Sequence, residues 1–80
     1  MPTVLREQGF EFFFYSNERN EPAHIHVWSQ GGVAKFWLRP VALAASRGLR
    51  NHELSELQRI VVRNVDLFEG KWNEHASRKI

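Results

Sequence analysis

Apolar and polar positions alternate with a period of two through the first forty residues, and the period then lengthens to three and four. Val4-Leu5-Arg6 forms a short first strand that ends near Gln8-Gly9. Phe10 to Tyr15 is a second, its aromatic residues suited to a pleated, half-buried surface. Ser16 to Pro22 is a polar loop rich in turn formers. His24–Trp28 and Val33–Leu38 are the third and fourth strands, joined by Ser29-Gln30-Gly31-Gly32, where glycine tolerates a positive φ. Pro40 ends the fourth strand. Val41 to Ser46 reads as either one helical turn or a fifth strand, and the strand is the better fit. Beyond it Leu54, Leu57, Val61, Val65, Phe68 and Trp72 line one side of a helix, with Asn51 as N-cap and Glu53 at the positive end of the dipole. Gly70 is expected to loosen the last turns. The expected fold is α+β and a single domain over residues 1–80. A small antiparallel sheet of four or five strands fills residues 1–46, and one long C-terminal helix, residues 51–76, covers one of its faces.

A tight turn at Gln30-Gly31 or Gly31-Gly32 fixes which side chains share a face. Ile25, Val27, Ala34, Phe36 and Leu38 form an apolar set that should meet the helix. His24, His26, Trp28, Val33, Lys35 and Trp37 fall on the other face. Phe10, Phe12 and Phe14 belong with the core, whereas Glu11, Phe13 and Tyr15 lie opposite and extend the aromatic face if their strand adjoins the histidine strand. Two imidazoles, two indoles and an ammonium are an unusual exterior. Imidazole titrates near neutrality, so His24 and His26 are candidate acid–base groups with Lys35 steadying an anion. Trp28, Trp37, Tyr15 and Arg39 are candidate binding residues, the rings as stacking surfaces and Arg39 as a phosphate contact. The competing reading is packing: aromatic rings usually fill cores, and a buried imidazole usually makes one hydrogen bond.

Composition narrows the function classes. Eighty residues leave room for one core and one shallow site. Without cysteine there is neither a disulfide frame nor a thiolate metal site. His-x-His needs further ligands to hold zinc; Glu18 and Glu21 are the nearest carboxylates, and His52 and His75 fall in the helical half. No metal or cofactor is expected, and a small metal-binding domain remains a third alternative. No phosphate-binding glycine loop and no nucleophilic triad is present. The first forty residues carry four basic and four acidic groups, so the net +2 arises in the second half, where Arg47, Arg50, Arg59 and Arg63 could touch phosphate. That is too mild for a dedicated DNA binder. No apolar run spans a membrane, and Met1-Pro2-Thr3-Val4 lacks the order of a signal peptide, so a cytoplasmic location is expected.

Several segments taken together are more specific than any one alone. They are Met1-Pro2-Thr3-Val4, Phe13-Phe14-Tyr15-Ser16, Pro22-Ala23-His24-Ile25-His26-Val27 and Ala34-Lys35-Phe36-Trp37-Leu38. Arg47-Gly48-Leu49 and Lys71-Trp72-Asn73-Glu74 complete the set. With them the chain resembles the small prokaryotic proteins grouped as the domain-of-unknown-function family numbered 4160. Ala23 stands where many of those proteins have a second proline. The resemblance implies a toxin-like component of a two-gene, toxin–antitoxin-like module, with a small cognate partner protein encoded nearby. It brings no settled reaction. Two readings therefore stand side by side: a surface acting on RNA, with a His-dependent ribonuclease-like step in its catalytic version, or a non-catalytic module that binds a partner protein or a second copy of itself.

Overall fold

The computed structural model describes residues 3–15 and 20–77, with side chains described through Glu74. Ser16 to Arg19, including Glu18, and the side chain of His75 lie outside the described residues. Five strands, β1 (Thr3–Glu7), β2 (Phe10–Phe13), β3 (His24–Trp28), β4 (Val33–Leu38) and β5 (Val41–Arg47), are followed by helices α1 (Asn51–Arg63) and α2 (Val65–Ser77). The strands form one antiparallel sheet in chain order. Val41 onward is thus a strand, as expected, while the β2 ladder stops at Phe13, two residues short of the expected Tyr15.

Two-residue turns set the register. Ser29 and Gly32 exchange backbone hydrogen bonds across Gln30-Gly31, which pairs His24 with Trp37, His26 with Lys35 and Trp28 with Val33. The reason for glycine here differs from the expected one, since only Gly9 and Gly48 adopt positive φ among the described glycines. Gly32 is small because the backbone at the end of β5 passes over it: a Cβ there would lie 2.1 Å from the Arg47 carbonyl oxygen. The β1–β2 turn does need left-handed backbone, at Gln8 (φ 54°) and Gly9 (φ 83°), the signature of a type I′ turn. Glutamine is poorly suited to that conformation. Replacing Gln8 with asparagine or glycine should therefore raise stability by about 0.5–1 kcal/mol, read as a higher urea midpoint at unchanged slope.

The expected single long helix is two. Asn64 interrupts it with φ −114° and ψ 16°. Its side-chain Nδ2 donates to the Ile60 carbonyl at 2.9 Å, a carbonyl its own backbone N–H also reaches at 3.1 Å. A short amide side chain competing for backbone partners is a common way to end a helix. The Asn64 carbonyl in turn accepts the Phe68 N–H at 2.9 Å and starts α2. The break falls at Asn64 and not at Gly70, which lies within α2. The cap also shifts by one residue: Arg50 is the N-cap, and the Glu53 carboxylate accepts its backbone N–H at 2.9 Å.

The apolar stripe survives the break. Leu57, Ile60, Val61, Phe68 and Trp72 are buried against Phe10, Phe12, Phe14, Ile25, Val27, Ala34, Phe36 and Leu38. Phe12 stacks on Phe68 at 5.4 Å, and Phe14 meets Trp72 edge-on at 5.4 Å. Two ion pairs tie helices to sheet, Arg63 with Glu7 and Arg39 with Glu69. No helix among the described residues is long and apolar enough to cross a membrane.

Candidate functional site on the uncovered sheet face

Cross-strand pairing orders the face opposite the core into rows. Arg6, Glu11, Trp28, Val33 and Arg47 form one row, and Phe13, His26, Lys35 and Ala45 the next. His24, Trp37 and Ala42 form a third. The face predicted from alternation is therefore assembled, and β2 adjoins β3, which brings Phe13 and Tyr15 into it.

Its members differ sharply in accessibility. Trp28 is 50% exposed and Tyr15 42%, whereas His24 is fully buried. His26, Lys35 and Trp37 are intermediate. Phe13 and Tyr15 meet edge-on at 5.2 Å and make a ridge; His26 stacks on Phe13 at 5.7 Å and meets Tyr15 at 4.4 Å. A hollow lies on each side of the ridge. One, about 350 Å³, is lined by Thr3, Glu11 and Trp28 together with the ridge. The other, about 390 Å³, is lined by His26, Val33, Lys35, Ala45 and Arg47 together with the ridge. Both lie within the size range of small-ligand clefts, about 300–1,000 Å³. A larger hollow, about 560 Å³, lies along α1 between Ser55, Arg59 and Val62 and gathers no ring or carboxylate.

Charge on the face is largely matched. Glu11 accepts from the Thr3 hydroxyl at 2.8 Å and from Arg6 at 3.0 Å, and these two contacts hold its carboxyl below the usual carboxylate range. Lys35 Nζ lies 2.6 Å from Glu21 and 4.6 Å from the centre of the Trp37 ring. Arg47 is exposed on the rim of the larger of the two hollows.

Two of the expected site residues are placed differently from the rest. Arg39 faces α2 and is held by both oxygens of Glu69, which raises its already high pKa; it does not join the histidine rows. His24 shares the row of Trp37, 5.7 Å away ring to ring, but is capped by Trp72 at 4.8 Å. A ring nitrogen, Nδ1, lies 2.8 Å from the Pro22 carbonyl oxygen, the geometry of an imidazole N–H donating to a backbone acceptor. β2 offers no ladder partner opposite His24, because its pairing ends with Phe13 and His26. That opening at the strand end lets Trp72 contact both Phe14 and His24. The two imidazoles are 5.1 Å apart, edge to face, with only His26 reaching the surface. Among the described residues no three His, Asp or Glu side chains converge as a metal ion requires.

Thr3 was not expected in this site, Glu11 was expected on the face only if β2 adjoined β3, and Arg47 only as one of four candidate phosphate contacts in the second half of the chain. Their signal lay in strand order: only the pairing of β1 with β2 and of β4 with β5 brings them beside the rings.

The model of the Domain of unknown function (DUF4160) matches residues 9–73. The chain belongs to this family. The match begins at the β1–β2 turn and ends just past Trp72, so it takes in both the aromatic ridge and the tryptophan that covers His24. No curated protein and no solved structure matches the chain.

Proposed function

We propose that this DUF4160 chain is the toxin-like component of a prokaryotic two-gene module, and that it works in the cytoplasm by binding through the uncovered sheet face. One observation carries the binding part of this reading: the half-buried Phe13 and the exposed Tyr15, on the face away from the helices, form a ridge between two hollows. The sheet edges are weaker candidates. β1 carries a bulge between Thr3 and Leu5, and β5 one opposite Lys35 and Phe36, and bulged edges resist strand addition. Burial of His24 favours recognition over a paired-imidazole cleavage, since a general acid or base has to reach the substrate proton. Trp28 and Tyr15 keep their roles as contact residues, His26 and Lys35 join them as contacts in place of the acid–base and anion-steadying roles first read for them, and the small cognate partner neutralises the chain by covering the same face.

Expression of the chain alone should slow growth, and co-expression with the neighbouring gene's product should restore it. The pair Tyr15→Ala and Trp28→Ala, confirmed folded by circular dichroism, should relieve the growth defect and lose the partner on co-purification. A folded double variant that remains equally toxic and still retains the partner would sink the proposal.

A further inference from the structure

We infer that the ligand of this face is a single-stranded RNA segment, two of whose consecutive nucleotides straddle the Phe13–Tyr15 ridge. The inference rests on the binding reading above and assigns the ligand class.

Two adjoining hollows that share one aromatic wall suit a repeating ligand with a flat unit at each step. Nucleobases are such units, and stacking on aromatic side chains is the main sequence-tolerant contact of single-stranded nucleic acid. Phe13 and Tyr15 offer ring surface to both hollows, Trp28 adds an exposed indole to the smaller and His26 an imidazole to the larger.

The charges divide the roles. The larger hollow carries Lys35 and Arg47, and Arg47 makes no ion pair among the described residues. It is the cation placed to meet a phosphate. Glu21 neutralises Lys35, and Arg6 neutralises Glu11, so neither carboxylate presents an unmatched negative charge to a polyanion. The smaller hollow carries Glu11 and the Thr3 hydroxyl. A carboxylate is a poor neighbour for phosphate and a good acceptor for a ribose 2′-hydroxyl, the group that separates RNA from DNA. An apolar peptide would leave Arg47 without a partner and Glu11 with none of the donors it can still accept.

The test uses the purified full chain and two fluorescein-labelled probes, an oligouridylate and its oligodeoxyuridylate counterpart, followed by anisotropy over a salt series. The oligouridylate should bind more tightly than the deoxy probe. Tyr15→Ala should weaken RNA binding about 5- to 150-fold with the salt dependence unchanged. Arg47→Ala should lower the slope of log affinity against log salt by about 0.7, the signature of one lost phosphate contact. Failure of the wild-type chain to bind oligouridylate at low salt overturns the inference, as does equal affinity for the deoxy probe or an unchanged affinity in folded Tyr15→Ala. The growth assay separates this from the parent proposal. If Tyr15→Ala with Trp28→Ala restores growth while no RNA binds, the face stands and its ligand is a protein. If RNA binds as described but the variants leave growth unchanged, the ligand assignment stands and the toxin reading fails.

Discussion

Phe12→Ala should cost about 3–5 kcal/mol of folding stability, enough to leave a chain of this size partly unfolded at room temperature. Phe12 has no exposed surface. It sits in β2 between Leu5 on β1 and Val27 on β3, and its ring stacks on Phe68 of α2, so one side chain joins three strands to a helix. Truncation removes the transfer energy of the ring and leaves a cavity that the two-stranded flanks and the helix cannot close without losing their own contacts. Its neighbour Phe13 supplies the control. Phe13 points to the other face, is half-buried and touches Tyr15 and His26, so Phe13→Ala should cost about 1.5 kcal/mol or less. Urea unfolding followed by tryptophan fluorescence measures both. A larger loss for Phe13 than for Phe12 would reverse the assignment of faces on which the site depends.

Face assignment was legible in the sequence because it needs only the two-residue period and the position of a turn. Gln30-Gly31 set the pairing of His24 with Trp37 and of Trp28 with Val33, and the apolar set Ile25, Val27, Ala34, Phe36 and Leu38 is buried as alternation requires. The helical stripe was legible for the same reason. Its interruption was not: Leu57, Val61, Phe68 and Trp72 keep their spacing across Asn64, so hydrophobic periodicity carries no mark of a break made by one side-chain hydrogen bond. Nor does alternation say whether a face stays open along its length. At the Trp28 end the indole is half exposed, whereas at the His24 end the β2 ladder has stopped and Trp72 closes over the imidazole. Arg39 illustrates a third limit. It follows the last strand residue by one position, in the turn that joins β4 to β5, where the strand period no longer governs direction, and Glu69 decides which way it points.

His24→Ala should destabilise the protein by about 2–4 kcal/mol, and His26→Ala by about 1 kcal/mol or less. The two residues are one strand repeat apart and were expected to act as a pair, yet their surroundings differ. Removing the His24 ring leaves a cavity beneath Trp72 and deprives the Pro22 carbonyl of the imidazole N–H. Pro22 is itself exposed, so water can take the place of the imidazole N–H there, and the loss is mainly one of packing. His26 reaches solvent, so water can replace much of what its ring provides. A double-mutant cycle between His24→Ala and Trp72→Ala should show a coupling of about 0.5–1.5 kcal/mol, as expected of rings in contact, while the cycle of His26→Ala with Trp72→Ala should be additive within about 0.5 kcal/mol. Equal losses for the two histidines, or no coupling of His24 to Trp72, would show that the tryptophan does not seal the imidazole in solution. The distinction governs how growth experiments are read. A His24 variant can lose its effect on growth by losing its fold, because the ring is part of the packing between sheet and helix. Substitutions at Tyr15, His26 and Trp28 leave that packing in place and report on the surface itself.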